Sequence, residues 1–184
     1  MKKIAVLVSS TGSTLQHFLE NGLSIRAVIA DRECDAIGIA QAAGIDVVLM
    51  TRTFDASFDR DDYTRQLAGT LCAQDIDLVA MAGWKTVFSP LIFRMYEKRI
   101  LNTHPSLLPK FKGAHAVRDA LRAGVRITGC TVHYAEPELD AGPIIEQAFV
   151  RIEDGDTEST LHERIQSVEK PLYLGVIRRM ARGR

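Results

Sequence analysis

The sequence contains little cysteine and no long hydrophobic run. Its three cysteines, Cys34, Cys72 and Cys130, are scattered and form no CxxC pair. This pattern indicates neither a disulfide framework nor a zinc site, and a reducing cytoplasm is the simplest setting we expect. The apolar runs are far shorter than the ~20 residues that span a bilayer. The first of them, Ile4 to Val8, is also too short for the hydrophobic region of a signal peptide and predicts a strand instead.

The sequence also lacks an excess of charge of either sign. Lys and Arg number 23, and Asp and Glu number 23, so the formal net charge is zero. A balanced charge argues against nucleic acid or an anionic membrane as the main partner. The chain of 184 residues, 46% of them hydrophobic and 25% charged, is long enough for a sizeable core. We therefore predict a single domain that spans residues 1–184.

Apolar runs alternate with helical patterns along the chain. The runs predict strands, and most segments between them carry helical spacing, N-terminal caps or C-terminal glycines. The predicted strands are Ile4–Val8, Arg26–Ala30, Val47–Met50, Asp77–Met81, Ile100–His104, Ile127–Tyr134 and Ile144–Arg151. This alternation favours an α/β fold: a mostly parallel, doubly wound (Rossmann-like) sheet flanked by helices, with a C-terminal antiparallel hairpin and a long final helix.

Two features of the helices carry further expectations. Ser89 and Pro90 are typical of a helix start, with the serine as N-cap and the proline at the first position. The last helix has an apolar stripe, but Pro171 falls within it and is expected to kink or break it.

The first polar motif is Asn102-Thr-His-Pro, at the end of the fifth predicted strand. Side chains alternate along a strand, so Asn102 and His104 project from the same face, and Pro105 favours an extended His104. The pair combines a hydrogen-bond donor with a group that titrates near neutrality. A polar strand end with a structurally satisfied histidine is the alternative interpretation.

Asp140 supplies a carboxylate in the loop between the last two predicted strands. A carboxylate there can fold back over the sheet edge and meet His104, where it favours the imidazolium form. An imidazolium and an asparagine amide together form an oxyanion hole for a tetrahedral intermediate. No Gly-x-Ser-x-Gly elbow is present, and only Cys130 lies close to a histidine, His133, so a nucleophile from the substrate is favoured. The alternative for Asp140 is an ordinary Asx turn.

A candidate phosphate site precedes the first helix. Ser9-Ser-Thr-Gly-Ser-Thr14 connects the first strand to that helix, an arrangement whose free N–H groups and helix dipole face an anion. Gly12 permits close approach, although neither a P-loop nor a GxGxxG pattern is present. A plain N-cap made by Ser13 or Thr14 explains the segment equally well. Arg60, the only base in the first turn of a later helix, is either a surface charge or an anion contact.

Together these motifs resemble the folate-dependent formyltransferases. Asn102-Thr-His-Pro-Ser-Leu-Leu-Pro109 is similar to that family's Asn-x-His-Pro-Ser-Leu-Leu-Pro signature, and Glu138-Leu-Asp-Ala-Gly-Pro143 is similar to its aspartate loop. Ser9-Ser-Thr-Gly-Ser-Thr-Leu-Gln16 resembles the phosphate loop of the members that formylate glycinamide ribonucleotide in purine biosynthesis. The resemblance runs from about Lys3 to the C-terminus.

The resemblance implies direct formyl transfer from 10-formyltetrahydrofolate, as co-substrate, to glycinamide ribonucleotide, without a metal. Asn102 and His104 would stabilise the oxyanion, and Asp140 would keep His104 charged and assist proton transfer. The other implied contacts are with the ribonucleotide, from Thr11, Gly12, Ser13, Thr14, Arg60 and Glu169, and with the folate, from Trp84, Thr86, Val87 and Phe88 beside Asn102 and Asp140. The implied partners are these two small molecules, and a monomer and a homodimer both remain open.

Some positions depart from the family pattern. Thr14 stands where an asparagine is usual, and Lys85-Thr86 stands where Met-Arg is common. The first change replaces an amide by a hydroxyl. The second removes an arginine side chain, so folate contacts from Thr86 and Phe88 are expected to come from the main chain.

Other functions fit part of the pattern. A methionyl-tRNA formyltransferase would need a further C-terminal domain and a basic surface. A formyltetrahydrofolate hydrolase would need an N-terminal regulatory domain, and sugar-amine formyltransferases lack the same phosphate loop. A phosphate-binding module without catalysis and a flavodoxin-like regulator also match the fold pattern, but they leave the Asn102 and His104 pair unexplained.

Overall fold

The chain forms two compact units in a computed structural model that describes residues 1–53 and 55–183. The first unit comprises Met1–Leu101 and Arg178–Arg184, and the second comprises Asn102–Ile177. The single domain expected over residues 1–184 stays a prediction. Within the described residues, every helix is too short or too polar to cross a bilayer.

The first unit is an alternating series of strands and helices. Its parallel strands pair in the order β3-β2-β1-β4. The carboxyl ends of β1 and β4 are therefore neighbours at the point where the strand order reverses, which is where open α/β sheets bind ligands. The elements are β1 (Ile4–Val8), α1 (Ser13–Glu20), β2 (Ala27–Ala30), α2 (Asp35–Ala42), β3 (Asp46–Leu49), α3 (Arg60–Ala73), β4 (Leu78–Ala82) and α4 (Leu91–Met95).

The second unit holds a hairpin and most of the last helix. β5 (Ile100–His104) begins in the first unit, where its first two residues pair in parallel with β4, and ends in the second. The following elements are α5 (Ala116–Arg122), β6 (Ile127–Tyr134), β7 (Ile144–Arg151) and α6 (Glu158–Ala181). β6 and β7 are antiparallel, with a register shift between Val132 and His133. Buried side chains of α5, the hairpin and α6 form one core: Val117, Cys130, Val150, Leu161 and Ile165.

The predicted fold class is confirmed. By hydrogen bonding, seven strands follow one another in the order β3-β2-β1-β4-β5-β6-β7, all parallel in the first unit and antiparallel in the β6–β7 hairpin. β1 and β2 are buried along their whole length, as expected for strands covered on both faces. The hairpin strands have the predicted bounds, and α6 is the long final helix.

The prediction that Ser89 caps a helix is wrong. α4 begins at Leu91 after Pro90, and no side chain caps it. Ser89 is buried, and its N–H donates to the Thr64 hydroxyl of α3 at 3.0 Å. Ser89 therefore contacts α3 instead of capping α4.

The break predicted at Pro171 is also wrong, because α6 continues through this residue. The kink that was the other expectation stays a prediction. Proline removes one helical hydrogen bond. Buried apolar side chains lie on both sides of it, with Leu161 and Ile165 before and Tyr173 and Leu174 after. We infer that burial of these apolar side chains stabilises α6 by more than the hydrogen bond lost at Pro171.

Gly12 is the residue at which the loop after β1 turns into α1. Its backbone lies in the left-handed region, with φ +76°. A Cβ atom at this position would lie 2.8 Å from both the Cα and the Cβ atoms of Ala36. Glycine alone satisfies both the backbone conformation and the available space.

We expect Gly12→Ala to destabilise the protein by about 2–4 kcal/mol, because backbone strain and a clash with Ala36 add together. Urea unfolding measures the change. Gly38→Ala in α2 is the matched control: nothing lies within 4 Å of a Cβ atom there. That variant should be more stable than the parent by about 0.5–1 kcal/mol. Equal stabilities of the two variants would contradict the packing argument.

Candidate functional site

Asn102, His104 and Asp140 lie together in the second unit. Asn102 and His104 project from one face of β5. The loop between β6 and β7 brings Asp140 Oδ2 to 3.4 Å from His104 Nδ1, and the two side chains are only 4% and 7% exposed. The structure therefore assembles the three side chains that the motifs singled out.

A second histidine, His133 on β6, completes this cluster. Its Nε2 atom lies 3.3 Å from Asn102 Nδ2 and 3.8 Å from Asp140 Oδ1, and its Nδ1 atom lies 2.9 Å from the Tyr134 carbonyl oxygen. A carbonyl can only accept, so Nδ1 carries the proton and Nε2 accepts from the Asn102 amide. Burial lowers the pKa of His133, which keeps the ring neutral at pH 7. A neutral His133 thus orients the amide of Asn102.

Sequence reasoning considered His133 only as a neighbour of Cys130 and missed its contact with Asn102. The available signal was its position near the end of β6, since a hairpin brings that end close to the Asp140 loop. Cys130 itself is buried, and burial, followed by the nearby Glu169, raises the pKa of its thiol to about 12. A thiolate nucleophile at this position is therefore unavailable near neutral pH.

The Nε2 atom of His104 is already occupied. It donates to the Phe111 carbonyl at 2.7 Å. The loop that carries this carbonyl is tied down by two hydroxyls: Ser106 donates to the Lys110 carbonyl at 2.6 Å, and Thr131 donates to the Ser106 carbonyl at 2.6 Å. Because this loop fixes Nε2, the nitrogen of His104 that faces Asp140 is Nδ1.

Asp140 is held in place by Gly113, a residue distant in sequence. Its Oδ2 atom accepts the N–H of Gly113 at 2.9 Å, unlike the local contact that defines an Asx turn. Its backbone has φ +52°, a left-handed conformation that aspartate tolerates better than most residues. The carboxylate is thereby fixed between the loop after β5 and the loop of the hairpin.

The Ser9–Thr14 loop in the first unit leads into α1 without a side-chain cap. Gly12 is the N-cap residue, and no side chain makes the capping bond, so the alternative of a plain cap made by Ser13 or Thr14 is wrong. Thr11 is exposed, while Ser13 and Thr14 are half-buried. By helix geometry the first N–H groups of α1 have no partner within the helix. This end of the helix suits an anion.

Arg60 is the first residue of α3 and is exposed. The preceding residue, Asp59, caps the helix by accepting the N–H of Asp62 at 2.8 Å. An exposed arginine at a helix start suits an anion contact as well as a surface charge.

The segment Gly83–Phe88 follows β4 and buries most of its side chains. Trp84, Thr86 and Phe88 are buried, whereas Val87 is 49% exposed. The Trp84 indole N–H donates to the Thr86 carbonyl at 2.8 Å, and the Trp84 and Phe88 ring centroids are 5.8 Å apart. Folate contacts from this segment would therefore come from main-chain atoms and from Val87.

Glu169 lies on α6 and is hydrogen-bonded to the Thr103 side chain. Thr103 alternates with Asn102 and His104 along β5, so it points to the opposite face of the strand. Burial raises the pKa of Glu169 to about 7, against the opposing effects of the Thr103 hydrogen bond and the Lys170 charge. The structure does not bring Glu169 together with Asn102 and His104.

The cluster in the second unit is suited to stabilising a transient negative charge. It offers an amide N–H oriented by a neutral histidine, and a buried imidazole beside a buried carboxylate. Among residues 1–53 and 55–183, no group of three or more His, Cys, Asp or Glu side chains is arranged to hold a metal ion. The arrangement fits acyl transfer to a nucleophile that the substrate supplies.

Known proteins are similar to this chain in both sequence and fold. A family model described as formyl transferase matches residues 2–177. Phosphoribosylglycinamide formyltransferase of Mycobacterium tuberculosis (strain ATCC 25618 / H37Rv) is 39% identical over 184 residues, which cover 97% of this chain and 85% of that protein. The protein of the same name from Escherichia coli (strain K12) is 37% identical over 187 residues, with coverages of 98% and 88%. Glycinamide ribonucleotide transformylase 1 from Symbiobacterium toebii has a crystal structure with a TM-score of 0.93 at 38% identity, covering 100% of this chain and 89% of that one.

The chain therefore belongs to the formyl transferase family. The family resemblance carried by its motifs is confirmed. Within the family, the relatives described above are by name enzymes that formylate phosphoribosylglycinamide.

Glu169 should make the stability of the protein depend on pH. Its pKa is about 7 in the folded protein against an ordinary 4.5, so the folded state binds the extra proton between these values. Stability should therefore fall as pH rises from about 4.5 to about 7 and level off above that. In Glu169→Gln this fall is absent, and the variant gains up to about 3 kcal/mol relative to the parent across the same window.

Urea unfolding at several pH values between about 5 and about 8 measures this difference. Glu163→Gln, an exposed carboxylate on the same helix, is the matched control and should follow the parent. Parallel stability curves for Glu169→Gln and the parent would contradict the assignment of the pH dependence to Glu169.

Proposed function

We propose that the protein transfers the formyl group of 10-formyltetrahydrofolate to the amine of glycinamide ribonucleotide, a step of purine biosynthesis. The observation that carries the proposal is the cluster of Asn102, His104 and Asp140, in which the buried His104 Nδ1 and Asp140 Oδ2 atoms are 3.4 Å apart. The names of the relatives support the same acceptor. The cytoplasm is the proposed setting, and the proposed partners are the two small-molecule substrates.

The reaction proceeds by direct attack. The substrate amine forms a bond to the formyl carbon while the formyl oxygen takes up the negative charge. Collapse of the tetrahedral intermediate breaks the bond from that carbon to the folate nitrogen, which receives the proton lost by the amine. The Asn102 amide has two protons; one is directed at His133, and the second is donated to the oxyanion.

His104 stabilises the same oxyanion through Nδ1. Its Nε2 atom is committed to the Phe111 carbonyl at 2.7 Å, whereas the 3.4 Å from Nδ1 to Asp140 is longer than a strong hydrogen bond. The Nδ1 proton can therefore be shared between Asp140 and the developing charge. Asp140 favours the imidazolium and carries the proton from the attacking amine.

The substrates bind through groups that the sequence motifs indicate. The phosphate of the ribonucleotide binds at Thr11–Thr14, where the uncapped start of α1 meets Gly12, and Arg60 adds a positive charge. The folate binds along Trp84–Phe88 through the main chain and Val87. Glu169 is assigned to the ribonucleotide by the family resemblance alone, and no metal takes part in the proposed reaction.

The test is a spectrophotometric assay of folate deformylation with and without glycinamide ribonucleotide. Turnover that requires the ribonucleotide supports the proposal. Turnover without it indicates a hydrolase, and turnover with an amino sugar nucleotide in its place indicates another acceptor. Phosphate binding without any turnover indicates a binding module. Each of these last three results contradicts the proposed function.

Asp140→Asn should lower kcat about 10²- to 10⁴-fold and change either KM much less, because it removes the charge and keeps the shape. Steady-state kinetics with both substrates measure the split. Asp154→Asn, an exposed aspartate in the turn before α6, is the matched control and should leave both constants unchanged. An Asp140→Asn variant with the parent's kcat would remove Asp140 from the mechanism.

A further inference from the structure

Asp31 follows β2 in the first unit, and its side chain is 0% exposed. Arg32 binds both carboxylate oxygens, with Nε 2.8 Å from Oδ1 and Nη2 3.0 Å from Oδ2. The Thr86 hydroxyl donates to Oδ2 at 2.5 Å, and the Ser9 hydroxyl donates to the same carboxylate. The buried carboxylate of Asp31 thus accepts hydrogen bonds from three separate segments of the chain.

The Ser9 hydroxyl extends this network to the main chain. While it donates to Asp31, its oxygen accepts the N–H of Lys85 at 2.9 Å. Ser9 directly follows β1 and opens the phosphate loop, whereas Lys85 and Thr86 lie in the segment after β4. Asp31 therefore fixes both of the segments that meet at the point where the strand order reverses.

Arg32 by itself balances the negative charge of Asp31, so neutralisation does not require the further contacts from Ser9 and Thr86. An ionised carboxylate has about four acceptor sites, and Arg32 uses two of them. Burial acts to raise the pKa of Asp31, but the hydrogen bonds from Arg32, Thr86 and Ser9 together lower it. The carboxylate is therefore ionised at neutral pH and keeps two acceptor sites for Ser9 and Thr86.

We propose that Asp31 is a positioning residue for substrate binding, which holds the Ser9–Thr14 loop and the Gly83–Phe88 segment in one fixed arrangement and touches neither substrate. This inference rests on the proposed function, which assigns the two segments to the ribonucleotide and to the folate. It also accounts for Thr86, which stands where the family commonly has an arginine. The Thr86 side chain bonds inward to Asp31 and so fixes the main chain that faces the folate.

The first test compares Thr86→Val, which removes the hydroxyl and keeps the shape, with Thr86→Ser, which keeps the donor. We expect Thr86→Val to raise the KM for 10-formyltetrahydrofolate about 10-fold with kcat within about 2-fold, because a bond to a charged acceptor is lost. The KM for the ribonucleotide should stay within about 2-fold, since Ser9 keeps its bond to Asp31. Thr86→Ser should resemble the parent in all constants.

The second test is Asp31→Asn, which removes the charge and one acceptor site. We expect it to raise the KM values for both substrates about 10-fold, since the Ser9 and Thr86 contacts share this group. Asp35→Asn is the matched control: Asp35 is an exposed acid in the first turn of α2, and its loss should leave both constants unchanged.

Trp84 gives a readout that needs no turnover. It is the only tryptophan, it is 8% exposed, and its indole N–H donates to the Thr86 carbonyl. Loosening of the segment should expose it, so we expect iodide quenching of its emission to increase at least about 2-fold in Thr86→Val and Asp31→Asn. Thr86→Ser and Asp35→Asn should match the parent.

Unchanged KM values in Thr86→Val and Asp31→Asn, together with lower melting temperatures, would make Asp31 a structural anchor only and overturn the proposal. A rise in KM that Thr86→Ser shares would overturn the role of the hydroxyl. If the parent does not formylate glycinamide ribonucleotide, the proposed function fails by itself. The quenching experiment then still decides whether Asp31 and Thr86 hold the segment: increased quenching supports it, and unchanged quenching overturns it.

Discussion

The charge of Asp140 is the constraint on which the candidate site depends. A carboxylate that is 4% exposed has lost its water and must find compensation within a few ångströms. The N–H of Gly113 and the imidazole of His104 supply this compensation. In the sequence, His104 precedes Phe111 and Gly113 follows it. The loop after β5 and the hairpin loop therefore both depend on contacts with this one carboxylate. The orientation of the imidazole follows from it.

Asp31 meets the same constraint with different partners and a different result. Its donors are a guanidinium and two hydroxyls, none of which titrates near neutrality, so its environment is fixed. The environment of Asp140 includes the imidazole of His104, a group whose ring nitrogens can both donate and accept a proton. Two carboxylates with almost the same burial are thus surrounded by different kinds of donor. In the proposed mechanism, the kind of donor, and not the depth of burial, distinguishes Asp31, which holds structure, from Asp140, which takes part in proton transfer.

The parts of the fold and site that depend on neighbours in sequence were predictable. Alternation along β5 placed Asn102 and His104 on one face, and hairpin connectivity placed Asp140 near them; the family follows from the same motifs and is confirmed. The errors concern features that depend on tertiary contacts. The N–H of Ser89 is bound by a residue of another helix, and buried side chains on both sides carry α6 past proline. The contact of His133 with Asn102 arises only when β5 and the end of β6 are brought together, and the hairpin pattern indicates only that His133 lies near the Asp140 loop.

The burial of Cys130 has a practical consequence for labelling the protein. Alkylating and disulfide-forming reagents react with thiolates, and a thiol with a pKa of about 12 yields almost none at the pH of labelling. Burial also raises the pKa of the half-buried Cys34, while Cys72 is exposed at the end of α3. A maleimide dye should therefore attach first at Cys72. The chain thus carries its own selective attachment point, remote in sequence from Asn102, His104 and Asp140.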